Sequence, residues 1–369
     1  MAGSVANAAR QGRHAVARPR RSLPERRALA LHWPDRHSRH TRFETDADVT
    51  DTRVQASAVV AQTHPGMVRI PGGVFAMGSN DHYPEERPVH RVAVDPFWMD
   101  ETPVTNRQFR AFIEATGHVT AAEIPPRAED YPGARPEMLK AGSLVFAQPR
   151  GPVDMNQHLN WWTFSFGATW RRPQGRQSTI RGLDDHPVVH VAYRDAEAYA
   201  RWAGKDLPTE AEWEFAARGG LEGKEFAWGD ELHPGGKPVA NTWQGQFPML
   251  NTKLDGYERT SPVRTFPPNG YGLYDMCGNV WEWTADWFFG RHAADEAKAC
   301  CIPRNPRGPR MEDSIDPLDA TRIPRKVLKG GSHLCAENYC HRYRPAARHP
   351  EPVDTSTSHI GFRCVVRQA

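Results

Sequence analysis

Two cysteines five residues apart, Cys335 and Cys340, are the side chains of this sequence best suited to chemistry. They sit in Gly330-Gly331-Ser332-His333-Leu334-Cys335-Ala336-Glu337-Asn338-Tyr339-Cys340-His341-Arg342-Tyr343-Arg344, and the 369 residues hold only six cysteines. Residues five apart point about 140° from each other on a helix and face opposite sides of a strand. Their sulfurs converge only if the segment turns between them. Once converged, they could close a disulfide, relay electrons or grip a soft metal ion. Without a nearby Cys-x-x-Cys or a histidine quartet they make a poor tetrahedral zinc site, whereas Cu(I) is soft and accepts few ligands. Spacing alone leaves a disulfide, or two unrelated structural thiols, standing beside redox and soft-metal chemistry.

Hard oxygen ligands gather elsewhere. In Tyr271-Gly272-Leu273-Tyr274-Asp275-Met276-Cys277-Gly278-Asn279-Val280-Trp281-Glu282-Trp283, a glycine-containing turn between Asp275 and Glu282 can aim carbonyl oxygens inward. Asn241 and Asp255 lie in a similar loop. Calcium takes six to eight such oxygens, but Asp and Asn in turns more often hydrogen-bond local backbone. Seventeen histidines include no His-Glu-x-x-His, and His37 and His40 fall in a polar N-terminal segment where a solvated role is expected. No phosphate-binding glycine loop, dinucleotide fingerprint or Gly-x-Ser-x-Gly elbow occurs, which argues against nucleotide-dependent and serine-hydrolase chemistry.

The elements that must position these groups are short. Met67–Ile70, a Pro-Gly turn and Val74-Phe75 read as two strands, and His90–Val94 alternates as a half-buried strand. Thr105-Asn106-Arg107-Gln108 is a capping box before Phe109, Phe112 and Ile113, with Gly117 as the stop. Asp195 is expected to cap a helix through Tyr199 and Trp202 that ends at Gly204. Thr209-Glu210-Ala211-Glu212 is a second capping box, closed by Gly219-Gly220. Beyond residue 220 turns and short strands dominate, and 286–326 reads as an irregular insertion carrying Cys300-Cys301 as spare surface thiols.

Composition agrees: 39% hydrophobic and 25% charged residues are globular, and 12 Trp with 32 Pro suggest a loop-rich fold held by aromatic packing. The net charge of +3 hides an asymmetry. Up to Arg42 there are ten arginines and two acids; the rest of the chain has 37 basic and 42 acidic residues. The basic character therefore belongs to an N-terminal extension and gives no support for nucleic-acid binding. That extension, residues 1–66, is expected to be disordered, although an Arg-rich, acid-poor start also fits a transit peptide. No apolar run approaches the roughly 20 residues of a membrane span, and no signal-peptide core is present. One domain over 67–369 is expected.

Taken together the motifs resemble the formylglycine-generating enzyme family, also called sulfatase-modifying factor, in its prokaryotic form. The resemblance covers about Met67 to Val366. It rests on Ile70-Pro71-Gly72-Gly73-Val74-Phe75-Ala76-Met77-Gly78, Glu101-Thr102-Pro103-Val104-Thr105-Asn106, His186-Pro187-Val188-Val189-His190-Val191 and Leu207-Pro208-Thr209-Glu210-Ala211-Glu212-Trp213-Glu214. Asn241-Thr242-Trp243-Gln244-Gly245, Gly278-Asn279-Val280-Trp281-Glu282-Trp283 and Gly361-Phe362-Arg363-Cys364 extend it. Most of these belong to a superfamily with a C-type-lectin-like α+β fold of little regular structure. The cysteine pair followed by Arg342-Tyr343-Arg344 and Ala346-Ala347-Arg348 is the discriminating part.

The resemblance implies an oxidoreductase that converts the cysteine of a sulfatase Cys-x-Pro-x-Arg motif to Cα-formylglycine, on an unfolded or nascent chain, with molecular oxygen. It implies Cu(I) held by Cys335 and Cys340, with the substrate thiolate as third sulfur. Ser332, Tyr339 and Trp281 match pocket positions and Arg348 a substrate-pocket position. It further implies two structural calcium sites: Asn241, the Thr242 carbonyl, Asp255 and the Tyr257 carbonyl; and Asp275, the Gly278 and Val280 carbonyls and Glu282. Secretory members of the family carry two disulfides. Here Ala200, Ala216 and Pro345 replace three of those four cysteines and only Cys364 remains, which implies a reducing cytoplasm. His359 stands where a pocket Asn is usual. A monomer without nucleic-acid or membrane partners is expected. Two alternatives share the fold. A sulfoxide synthase would need a His-x3-His-x-Glu motif that His37 and His40 do not supply, and a non-catalytic lectin-like module would have no use for the cysteine pair.

Overall fold

A computed structural model describes residues 64–292 and 302–367. The N-terminal extension as far as residue 63, with His37 and His40, and the Cys300-Cys301 pair lie outside the described residues.

Alternating apolar residues and turn signals give many short strands, none longer than seven residues among the described residues. Met67–Ile70 (β1) pairs antiparallel with Phe97–Asp100 (β4), and Val365–Arg367 (β11) lies on the other side of β4. The turn at Pro71-Gly72 does not make β1 and Gly73–Met77 (β2) a hairpin, because β2 pairs instead with His90–Val94 (β3). A Cβ at Gly72, which holds φ +68°, would lie 2.7 Å from the carbonyl oxygen of Val94, so the chain can change sheets there only as glycine. Gly142–Phe146 (β5) and Trp162–Phe166 (β6) form a separate hairpin. The site rests on the four-stranded sheet: Trp281–Trp287 (β7) lies between Ile360–Gly361 (β10) and Arg325–Lys329 (β8), with Arg348–Pro352 (β9) beyond β8.

Both capping boxes form. Helix α1 (Asn106–Thr116) starts at Thr105 and ends at Gly117 in the left-handed region; α3 (Glu210–Arg218) starts at Thr209 and ends likewise at Gly219. The helix expected to be capped by Asp195 begins earlier, as α2 (Tyr193–Trp202). Asp195 is its third residue and reaches back to accept from the Ala192 amide at 3.0 Å, also accepting from Ala121 and pairing with His118. An acid at the third position satisfies a free amide as well as a cap does, which is why the sequence misplaces the boundary. The expected insertion 286–326 is trimmed at both ends, since β7 runs to Trp287 and β8 begins at Arg325. Between them the described residues hold a single 3-10 turn, Met311–Ser314.

Aromatic packing holds this framework, as the composition suggests. Trp161, Trp170, Trp213 and Trp283 are all fully buried. Burying an indole strands a donor unless it is paired; Trp213 donates to Glu282 at 2.8 Å and Trp283 to the Val191 carbonyl at 3.0 Å. One apolar cluster gathers Phe109, Phe112, Tyr199 and Phe362 around β7. A small third cluster of Trp161, Trp243, Phe247, Leu334 and Ala336 carries the cysteine segment. Ala200 and Ala216 pack in the core, and Cys364 is buried with a free thiol.

Candidate functional site

The cysteine segment is the connection between β8 and β9. Lys329 pairs with Arg348, so residues 330–347 leave the sheet and return to it side by side. Gly330 and Gly331 make the exit, both with positive φ; a Cβ on Gly331 would meet the Arg342 carbonyl and the Tyr343 amide at 2.8 Å. The turn demanded by the spacing is present. Cys335 donates its amide to the Ser332 carbonyl at 2.9 Å, and Cys340 donates to the Ala336 carbonyl at 2.9 Å, which folds the two cysteines toward each other. The segment is pinned from outside: Trp243 donates to the Cys335 carbonyl, and the Asn338 side chain exchanges two hydrogen bonds with the Phe247 backbone.

The sulfurs lie 3.2 Å apart and both thiols are free. The disulfide left open by the spacing is not formed. Cys335 is 2% exposed and receives the Ser332 amide at 3.4 Å, whereas Cys340 is half-buried. The hydrogen bond from Cys335 pulls the Cys340 thiol down to about 6, against its burial and with the help of the Arg342 guanidinium. Burial pushes Cys335 well above its ordinary value. Ionisation of the pair is therefore favoured at Cys340, with Cys335 as its S–H donor. Arg342 stands 3.9 Å from the Cys340 sulfur, is held by Glu85 at 2.8 Å, and covers the Tyr83 ring at 3.7 Å.

A cavity of about 330 Å3 opens over the sulfurs. Ser332, Tyr339 and Trp281 line it with Cys335 and Cys340, so five of the six pocket residues expected from the sequence come together. Tyr339 stacks on Phe247 with centroids 4.5 Å apart and meets Trp161 edge-on. Burial raises its phenol, which stays protonated as a donor. Arg348 does not line the cavity. Its guanidinium is buried, 2.7 Å from Glu210, and donates to the Glu85 and Phe289 carbonyls, because β9 turns that side chain away from the cysteines. His359 does line it, bonded to Thr357 and tilted against Trp162 at 4.9 Å.

Sequence reasoning missed Tyr83, His158, Trp161, Phe247 and His349, which also face the cavity. Burial lowers His349 to about 3 and His359 well below its usual range, so both imidazoles stay neutral. Tyr83, in a loop, and His158, at the start of a 3-10 turn, are far from the cysteines in sequence. Only the Asn338-Tyr339 flank of the cysteine pair carried a signal, and it points at Phe247 only through the fold.

The two oxygen-rich loops meet. Thr242 and Tyr257 donate their amides to Asp255 at 3.2 and 3.0 Å, and the Asn279 amide donates to the Asn241 carbonyl at 2.8 Å. Burial pushes the carboxyl of Asp255 up, and that of Asp275 to about 6. Neither makes an ion pair among the described residues, so the half-buried Asp255 and the buried Asp275 are carboxylates that a cation would stabilise. Glu282 differs: both its oxygens already accept from Arg363, at 2.8–3.0 Å, and one also from Trp213. A cation at Gly278 and Val280 would have to share or displace that pair.

Comparison with known proteins fits this geometry. Residues 53–368 match the sulfatase-modifying factor enzyme 1-like domain family. The chain is 53% identical to a formylglycine-generating enzyme of Mycobacterium tuberculosis, over 81% of this chain and 97% of the relative. It is 38% identical to a bovine protein named inactive C-alpha-formylglycine-generating enzyme 2, over 81% of this chain and 87% of the relative. The solved structure of PvdO from Pseudomonas aeruginosa superposes with a TM-score of 0.54 at 25% identity, covering 82% of this chain and 94% of that one.

Proposed function

We propose, from the premise that this chain belongs to the sulfatase-modifying factor family of formylglycine-generating enzymes, that it oxidises the cysteine of a sulfatase Cys-x-Pro-x-Arg segment to Cα-formylglycine. The observation that carries the reading is the pair of free, touching sulfurs at the floor of a cavity wide enough for a side chain. The relatives include one named inactive, so family membership alone does not carry it.

In this reading molecular oxygen is the oxidant and Cu(I) the cofactor. Two soft sulfurs, one already a thiolate, fit such an ion, which would replace the hydrogen bond between them and supply the oxygen chemistry that a polypeptide lacks. The chain's own residues do the rest. Arg342, steadied by Glu85 and Tyr83, keeps Cys340 ionised. Trp161, Phe247 and Tyr339 wall off water, and the Tyr339 hydroxyl offers a proton donor toward the cavity. His349 and His359, held neutral by burial, add no charge to the cavity and serve as hydrogen-bonding groups in its wall. An extended peptide laid across the cavity needs no second subunit, which is compatible with action as a monomer. Calcium, held by Asn241, Thr242, Asp255 and Tyr257 and by Asp275, Gly278 and Val280, would staple loops that lack regular structure.

The test is direct. Copper-loaded protein is incubated in air with a peptide containing Cys-Thr-Pro-Ser-Arg, and mass spectrometry follows the change from thiol to aldehyde. Absence of conversion by fully metallated protein overturns the proposal.

A further inference from the structure

We infer that His82, Glu225 and His341 form a second metal site, for a divalent transition-metal ion of the zinc class, on the outer wall of the cysteine cavity. The three residues come from separate segments: the loop after β2, the turn after α3, and the cysteine segment itself. One ligating atom from each lies within 4.8 Å of the other two. Glu225 Oε1 is 3.6 Å from His82 Nε2 and 3.7 Å from His341 Nε2. These separations are too long for hydrogen bonds. They are close to the roughly 3.4 Å edge of a tetrahedron whose ligands sit about 2.1 Å from a zinc ion.

The strongest pointer is His341 Nε2, a buried nitrogen with no hydrogen-bond partner. Such a group is costly to leave unpaired, and a bound ion would satisfy it. The ligand atoms are also held in place. The His341 ring is wedged between Phe226 and Tyr343, at 5.8 and 5.0 Å, and meets His82 edge-on at 5.6 Å. The His82 carbonyl accepts from Arg87, and the Glu225 amide donates to Asp230. Arg344 opposes a cation at both imidazoles, but Glu86 grips it at 2.6 and 2.9 Å. Side-chain exposures of 24%, 33% and 27% place the site near the surface, with His341 Nε2 itself covered. Two imidazoles and a carboxylate with one position left for water is a common zinc set.

The site's position gives it a consequence. His341 follows Cys340, and its amide donates to the Tyr83 hydroxyl at 3.1 Å; His82 precedes Tyr83, which lines the cavity. An ion here ties the loop after β2 to the cysteine segment and stiffens the wall that carries Arg342.

The test removes sulfur ligation first. In full-length protein with Cys335→Ser and Cys340→Ser, zinc titrated calorimetrically should bind, and Co2+ should show ligand-field bands without sulfur-to-metal charge transfer. His82→Gln or Glu225→Gln in that background should each weaken zinc by at least about tenfold, the loss that even outer-shell changes produce. Unchanged melting of the metal-free variants checks the fold. In the unsubstituted chain, zinc should slow modification of His82 by diethyl pyrocarbonate. No zinc binding by the serine variant, binding indifferent to both substitutions, or unprotected His82 each overturns the inference, and none bears on the copper reading.

Discussion

The cavity over the cysteines and the layer beneath it bury polar groups in opposite ways. Beneath, every charge has a partner: Glu214 with Lys329 and Arg218 at 3.0 and 2.7 Å, Glu210 with Arg348, Glu86 with Arg344, and Glu282 with Arg363. In the cavity the two cysteine sulfurs, with Arg342 beside them, and neutral imidazoles face an open volume. One strand divides the two, for Lys329 closes β8 inside the paired layer and Gly330 begins the cysteine segment. Closed pairs make rigid, inert structure, whereas groups left partly unsatisfied are ready to take up something else. The difference says where this fold keeps its stability and where it keeps its reactivity.

Substitutions should separate the two. The largest effect is expected from Cys335→Ser or Cys340→Ser, which should abolish peptide conversion and Cu(I) binding while thermal melting stays near that of the parent. Full turnover by either variant would remove both sulfurs from their assigned role. Glu214→Gln should do the reverse. It takes the carboxylate from Arg218 and leaves Lys329 only Glu210 at 3.7 Å, and breaking a buried pair typically costs about 3–5 kcal/mol, read from urea unfolding at neutral pH.

The pH dependence of that variant sharpens the point. Burial opposes ionisation of Glu214, but Lys329 and Arg218 win and hold its carboxyl down to about 2. A depressed acid contributes stability that is complete above its ordinary value of 4.5 and lost as pH falls through about 2. The gap between parent and Glu214→Gln should therefore narrow on acidification. A constant gap would mean that the pair contributes through packing alone.

Smaller effects follow. Chelating calcium from saturated protein should lower stability by about 2.7 kcal/mol if the ion had been present at a hundred times its dissociation constant. Asp255→Asn should remove that dependence, as seen in melting with and without chelator. Arg342→Met should move the pH midpoint of Cys340 alkylation upward, because Arg342 supports a thiolate that the Cys335 hydrogen bond chiefly creates. The smallest change belongs to Arg107→Ala, whose pair with Asp185 is largely exposed; less than about 0.5 kcal/mol is expected.

Much of the framework is legible in the sequence because its signals are local. Thr105 and Thr209 with an acceptor three residues on, and Gly117 and Gly219 after the last turn, mark two helices to the residue. Asp195 shows the limit, since an acid at the cap and an acid three positions in look alike until the backbone is placed. Likewise Pro71-Gly72 announces a turn but not that β1 and β2 join different sheets.

The sequence by itself determined which side chains to examine: two scarce cysteines five residues apart, flanked by Ser332 and Tyr339, and two loops rich in oxygen ligands. Their spacing is a property of the covalent chain, and it sets a condition, a turn between the cysteines, that the structure meets. Only the tertiary structure decided which cysteine carries the charge, that Arg348 faces Glu210 instead of the cavity, that Glu282 is committed to Arg363, and that His82, Glu225 and His341 converge. Each of these depends on burial and on partners distant in sequence. Desolvation and ion pairing exist only once the chain has closed around them.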